Sequence, residues 1–416
     1  MHDKHVIISE SLINSDIQST IKKFVLNTSS NKINQTSIFL KKKFSIDITT
    51  EQDIIKGFDH DWSNMKGYAN ALCRPNNILE CAITIRVCYL LNIPLTISAG
   101  RTNLTGSATP EGGIIISINK LKEIESIDID NKEITCSPGV YLEELRNYVL
   151  HNSSNRLFFP VDPTSRKEAM IGGAISCNAS GFIPGEKGAM RYWVKGISMI
   201  LSNGEIINIE KGKYISKDGC FIIHHTDNSR STIKIPTYKR IDIKNASGPF
   251  SSQDGKIDLL DLIIGSEGIF GCIVNSKLKL EKRPSDYLNI FIKLKNEDEA
   301  FSLYSDISNY LLEDMSALSG LEYFGTNCSE YMEHKEYLFD KEYSVGVYIQ
   351  IPIYNKGIDE VIEEWYDMLI KNIYIEKEEQ ILSLNDIHSW KKFFEARHSM
   401  PANALQKAKE YNTSSI

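Results

Sequence analysis

Ser98, Ala99, Gly100, Arg101, Thr102, Asn103, Leu104, Thr105 and Gly106 form a run of small and hydroxylated residues at the end of a short apolar segment that begins at Pro94. Such a run leaves backbone N–H groups uncovered. Glycine admits positive φ and close approach, so successive N–H groups can form a concave nest for a phosphate or pyrophosphate. A phosphate-bearing cofactor is the chemistry this pattern points to. A Walker A loop would need G-K-[ST] before a helix, and a dinucleotide fingerprint would need G-x-G-x-x-G opening one; neither is present. Thr109 to Gly113 instead turns into a second apolar run, Ile114 to Ile118, so the loop joins strand to strand with no helix dipole at hand. An ordinary hairpin loop is the alternative reading of this segment taken alone.

A second small-residue run, Met170 to Gly181, contains Gly172, Gly173, Asn178, Ser180 and Gly181. Its glycines suit close helix packing, and together with Asn178 and Ser180 they also suit a surface against which a flat ring lies. A third, Gly265 to Gly271, returns into an apolar strand from Cys272 to Leu280. His224 and His225 fall in a polar loop without an acid or thiol neighbour, which reads as a surface feature rather than a metal site.

The elements that must carry these loops are partly legible. Residues 1–68 alternate short helical patterns, such as Ser15 to Leu26, with polar connectors, a lead-in layer packed on a larger domain. Asn77 and Glu80 have capping-box spacing, and Leu79, Ile83, Val87 and Leu90 fall on one face of the helix that follows. Glu133 to Ser137 reads as a strand, Leu142 to Leu150 as a helix, and Val194 to Leu201 as a strand turning at Asn203-Gly204 into Glu205 to Ile209. Beyond Pro284 the order becomes strand, helix, two strands, helix, which fits an antiparallel sheet with helices on one face. The division expected is a lead-in over 1–68, a cofactor domain over 69–283 and a cap over 284–416, an α+β protein throughout.

With 416 residues and a net charge of −7, the chain is long enough for two or three domains and is mildly acidic. No basic cluster exceeds Lys41–Lys43, read as a solvated helix end, which argues against a nucleic-acid surface. The eight cysteines include no C-x-x-C pair, so neither zinc nor an iron–sulfur cluster is encoded, and mostly sit in apolar segments, as buried thiols in a reducing compartment do. The N-terminus lacks an apolar signal region and no window has the length of a membrane span; a cytoplasmic location is expected.

In their order, Ser98–Gly106, Pro160-x-Asp162-Pro163, Ile171–Gly181, Lys244–Gly248, Gly265–Gly268 and Arg397–Pro401 resemble segments of the FAD-linked oxidases of the vanillyl-alcohol oxidase / p-cresol methylhydroxylase superfamily. Within it the order is similar to the D-2-hydroxyacid dehydrogenases, namely D-lactate dehydrogenase and the glycolate oxidase catalytic subunit, from Asp61 onward. The resemblance implies a two-subdomain FAD-binding domain followed by a cap. It implies that Ser98 to Gly106 hold the FAD pyrophosphate, that Pro160, Asp162, Gly172, Gly173, Asn178 and Gly181 line the ribityl and isoalloxazine parts, and that Glu267, Gly268 and Ile273 close the other side. No histidine lies in the first two loops, so noncovalent FAD is expected. Arg397 matches the arginine that grips the substrate carboxylate, a role suited to a forked, permanently charged group; a helix-surface arginine is the alternative. His398, its neighbour, is expected to be structural.

The activity implied is hydride transfer from C2 of a small D-2-hydroxy acid, such as D-lactate or glycolate, to flavin N5, with electrons passed to an unnamed acceptor. In the hydroxyacid dehydrogenases a lysine and a histidine-containing metal and catalytic segment follow the arginine, whereas this sequence stops at Ile416. A fragment, a natural truncation, or a partner subunit that supplies the segment are the readings this leaves. A catalytically incomplete FAD-binding subunit is the competing function, and an NADPH-using reductase a third.

Overall fold

The computed structural model describes residues 3–411 and 413, apart from 242, 244, 246–248 and 373. Of the Lys244–Gly248 motif, only Asn245 lies within the described residues.

The first lobe is built on a four-stranded sheet ordered Ile48–Thr49, Ala71–Cys73, Ile114–Ser117, Leu95–Ser98. Leu95–Ser98 and Ile114–Ser117 pair in parallel, Leu95 opposite Ile114 and Ser98 opposite Ser117. Two neighbouring strands running the same way cannot be joined by a tight hairpin. Residues 99–113 are therefore a crossover that carries the chain back along the sheet, and the hairpin alternative is excluded.

The helix Ile78–Leu91 starts as its sequence dictates: the Asn77 side chain accepts the Glu80 N–H at 2.9 Å. The Glu80 carboxylate reaches back to the N–H of Asn76 at 2.8 Å, one residue beyond a capping box. The single apolar stripe expected for this helix is corrected. Leu79 and Leu90 are 38% and 37% exposed, while Cys81, Ala82, Ile83, Ile85, Val87, Cys88 and Leu91 are buried. The helix shares one core with the sheet and with Ser15–Leu26 and Lys32–Phe44, so it packs on more than one side and its burial does not follow one stripe.

An antiparallel five-stranded sheet, Ile206–Glu210, Val194–Ile200, Cys272–Lys279, Glu133–Cys136, Ile124–Asp128, forms the second lobe. Its hairpin turns at Gly204, φ 83°. The N-terminal strand Val6–Ile8 pairs in parallel with Cys220–His224, so residues at the start of the chain complete this lobe. All eight cysteines are free, and Cys73, Cys81, Cys88, Cys136 and Cys272 are buried.

The cap sheet is ordered Gly320–Phe324, Val345–Ile353, Asp286–Leu294, Ile381–Ser383, all antiparallel, the last strand being unforeseen from sequence. Along Asp286–Leu294 and Val345–Ile353 the side chains alternate between two cores. Leu288, Ile290, Ile292, Val347 and Ile349 pack with the helices Glu297–Tyr310 and Ile358–Leu369, while Phe291 and Tyr348 face Phe393 and Ala396 of the helix Ile387–Glu410. Both faces are covered, which corrects the expectation of helices on one face. Phe182, from the end of the second small-residue loop, belongs to the second of these cores and couples the cap to the first half of the chain. Among the described residues no helix is long and apolar enough to cross a membrane.

Candidate functional site

The first loop leaves its strand at the buried Ser98 and is shaped from within. Asn103 Oδ1 accepts the N–H groups of Thr105 and Ser107 at 3.1 and 3.2 Å, and buried Asp61 accepts the Ala108 N–H at 3.2 Å. Those N–H groups are engaged inside the protein, which restricts the expected nest to the part of the loop before them. Arg101 takes up φ 56° and lays its guanidinium 4.6 Å from the Phe58 ring centroid. Burial lowers its pKa, but an arginine stays charged in proteins.

The second loop begins with a short helix, Ile171–Ser176, and the third hooks onto that helix through its backbone. Gly265 N–H donates to Ile175 O at 3.1 Å and Glu267 N–H to Ser176 O at 2.8 Å. At Gly100 the constraint is contact: a Cβ there would sit 2.2 Å from the Glu168 carbonyl oxygen, so only glycine lets the first loop close on the second.

These three loops enclose a cavity of about 430 Å³. Of the expected residues, Ala99, Gly100, Arg101, Thr102, Asn103, Gly172, Gly173, Glu267, Gly268 and Ile273 line it. Ser98, Leu104, Thr105, Gly106, Pro160, Asp162, Asn178 and Gly181 do not. They lie outside the cavity lining, several of them in contacts that shape the loops. Asp162 pairs with Arg166 at 2.7 Å, Asn178 accepts the Arg191 N–H at 3.0 Å, and a Cβ on Gly181 would meet the Asp162 carbonyl oxygen at 2.2 Å. Gly106, at φ 79°, packs on Met65.

Sequence reasoning missed Ile118, Ser165, Met170 and Cys177 in the wall. Cys177 lay within a motif already singled out, but its type gave no reason to choose it. Burial, with Glu267 nearby, pushes its thiol up to about 11, so it stays protonated at neutral pH.

The wall suits a flavin dinucleotide. Ile97, Ile118, Met170 and Ile273 offer apolar surface for a flat ring, Arg101 a cation for phosphate, and no atom lies within 4 Å of where a Cβ on Gly268 would sit. The volume falls within the roughly 300–1,000 Å³ usual for ligand pockets.

Arg397 adjoins this cavity from the cap. It is buried, 7% exposed, so the helix-surface alternative is excluded. Its Nε and Nη2 donate to Oε2 and Oε1 of Glu322, both at 2.6 Å, and its guanidinium lies 3.9 Å from the Phe182 ring centroid. Nη1 is 3.4 Å from Oγ1 of Thr164, whose neighbours Pro163 and Ser165 line the cavity. His398 keeps Nδ1 3.0 Å from the Phe394 carbonyl and its ring 3.8 Å from that of Phe394; burial holds its pKa below the usual value.

The histidine pair departs from its sequence reading. The His225 side chain, 9% exposed, lies beside Glu205, with Nδ1 2.8 Å from Oε2 and Nε2 2.7 Å from Ser231 Oγ, and Ser9 Oγ donates to Glu205 Oε2 at 2.6 Å. It ties the N-terminal strand to the second lobe instead of facing solvent.

Residues 69–210 match the family described as FAD binding domain. A D-2-hydroxyglutarate dehydrogenase of Stutzerimonas stutzeri is 23% identical over 279 residues, 67% of this chain and 50% of that protein. The glycolate oxidase subunit GlcD of Bacillus subtilis is 28% identical over 239 residues, 57% of this chain and 42% of its own length. The chain thus spans about half the length of the curated relatives it matches. A p-cresol methylhydroxylase crystal structure with substrate bound superposes with a TM-score of 0.62 at 14% identity, covering 86% of this chain and 67% of that one, which shows the fold. Residues 69–210 thus form an FAD-binding domain, and the chain has the fold of p-cresol methylhydroxylase and resembles the vanillyl-alcohol oxidase / p-cresol methylhydroxylase superfamily.

Proposed function

We propose that this chain carries out, or forms the FAD-binding part of a protein that carries out, the oxidation of a small D-2-hydroxy acid such as D-lactate or glycolate. The observation that supports this most is the place of Arg397: buried in the cap, with Nη1 directed at Thr164 between two residues of the cavity wall. A fixed guanidinium at that point can hold a carboxylate and so orient the adjoining C2 toward the cavity. Bound FAD supplies the two-electron acceptor. The protein supplies the cation, the apolar wall and the exclusion of water by Phe182 and the aromatic core behind it. D-2-hydroxyglutarate enters the same class through the relative named for it.

Noncovalent FAD is part of this reading. It is supported by a wall without histidine and by the protonated state of Cys177. Acid precipitation should release all the flavin into the supernatant.

The second reading, a catalytically incomplete FAD-binding subunit, draws on the pairing of Arg397 with Glu322 and on the engaged Nδ1 of His398. Anaerobic mixing of the purified yellow protein with D-lactate, glycolate or D-2-hydroxyglutarate separates the two. Bleaching of the flavin band by one of these acids supports the dehydrogenase. No bleaching by any of them leaves the incomplete subunit.

A further inference from the structure

Glu322 was not singled out by the sequence and lies far from Arg397 along the chain, yet it takes two of the five N–H donors of that residue. Both oxygens bind the Nε/Nη2 edge of the guanidinium. The outer edge, carrying Nη1 and the second Nη2 donor, is left over, with Nη1 reaching Thr164 at the cavity wall.

The surroundings make this orientation the one available. The guanidinium lies against the Phe182 ring, and the strand that carries Glu322, Gly320–Phe324, is stitched to the same residue by the Leu321 N–H donating to Phe182 O at 3.0 Å. The face and one edge of the group are therefore held by two elements joined through their backbones. The side chain of Arg397 is 9% exposed and that of Glu322 25%, so the pair is largely withdrawn from water. A lone guanidinium so placed would lose much of its hydration, and a partner carboxylate compensates it before any ligand arrives.

We propose that Glu322 is a positioning residue for the substrate carboxylate: it holds Arg397 by the Nε/Nη2 edge so that the outer edge is presented to the ligand beside Thr164. This rests on the reading of Arg397 as the carboxylate anchor. The opposing possibility is that Glu322 occupies the place of the ligand and must leave for it to bind. The two differ in sign. If Glu322 positions the arginine, its removal weakens carboxylate binding; if it competes, its removal strengthens it.

The test uses the FAD-loaded full chain and oxalate, a dicarboxylate with no C–H bond to give up as hydride, with its binding read from the perturbation of the flavin absorbance band. Glu322→Gln keeps the shape and loses the charge. The expected result is an oxalate Kd raised about tenfold, with KM for the hydroxy acid raised similarly, kcat within about twofold and FAD content unchanged. An unchanged or lower Kd in Glu322→Gln overturns the proposal while leaving the carboxylate role of Arg397 in place.

Should that variant lose FAD or fail to fold, Arg397→Ala and the double variant Arg397→Ala/Glu322→Ala decide the matter. A positioning residue acts only through Arg397, and without Arg397 the bare Glu322 carboxylate repels oxalate, so the double variant should bind oxalate no more weakly than Arg397→Ala; a further loss in the double variant overturns the proposal. If the wild-type protein binds no oxalate and its flavin is not reduced by any of the three acids, the hydroxy-acid reading itself has failed, and the role of Glu322 falls with it.

Discussion

Thr105 Oγ1 donates a 2.8 Å hydrogen bond to Glu267 Oε1, joining the first small-residue loop to the third across 162 positions of sequence. Glu267 lines the cavity while Thr105 does not, so the bond fastens the wall from outside. Both residues are exposed, which limits the contribution to roughly 0.5–1 kcal/mol. Thr105→Val should therefore speed FAD release by about two- to fivefold, measured by recovery of flavin fluorescence on dilution, and lower the Tm of the apoprotein by no more than about 2 °C. An unaltered release rate would show that the two loops hold the cofactor independently.

Two glycines of the wall should respond differently to the same change. Gly100→Ala drives a Cβ against the Glu168 carbonyl oxygen, a backbone atom, and should destabilise the apoprotein by about 1–3 kcal/mol as well as lowering FAD uptake. Gly268, at φ 80°, has open space where its Cβ would go. Gly268→Ala should cost the apoprotein only about 1 kcal/mol of backbone strain yet weaken FAD roughly tenfold by intruding on the cavity. Urea unfolding of the apoproteins alongside FAD titration reads both quantities. Equal FAD affinity in Gly268→Ala and wild type would remove the third loop from the binding site.

The buried Glu205 predicts an acid limb in stability. Burial alone would raise its pKa, but hydrogen bonds from Ser9, Thr226, His225 and Asn203 outweigh it and hold the group down at about 2, against 4.5 for an ordinary glutamate. A carboxyl whose folded pKa is depressed contributes stability above its unfolded pKa and loses it as pH falls through the folded one. The contribution, on the order of 3 kcal/mol, should be complete at neutral pH and decline from about pH 4.5 toward pH 2. Glu205→Gln should lower stability at pH 7 and flatten that limb. A wild-type stability that does not change between pH 5 and 3 would contradict the assignment.

Arg397→Ala leaves the Glu322 carboxylate without its partner in a largely buried setting, which should cost about 3 kcal/mol of stability. Adding Glu322→Ala should recover part of that loss, because the orphaned charge is then gone. Arg397→Lys should remove most hydroxy-acid turnover, since an ammonium cannot reproduce both the fork to Glu322 and the outer edge; the loss in kcat/KM should be on the order of 2–4 kcal/mol. Strictly additive effects of the two alanine substitutions on urea midpoints would mean that the pair contributes nothing as a pair.

The sequence by itself determined the local elements and the kind of site. Asn77 and the Asn203-Gly204 turn mark element ends through short-range hydrogen bonds and φ requirements, which neighbours in sequence settle. The three small-residue loops were readable for the same reason, since a loop that must approach a ligand or another backbone closely shows its glycines directly. What tertiary structure decided is everything that depends on which strands meet. Only the parallel pairing of Leu95–Ser98 with Ile114–Ser117 turns the first loop into a crossover, because strand direction is not written in either strand. Only the cap's second core brings Glu322 to Arg397, and only the pairing of the N-terminal strand beside Cys220–His224 sets His225 against Glu205. Contacts of this kind join residues from distant parts of the chain, and their geometry exists only after the sheets have packed, so no local pattern in the sequence could have announced them.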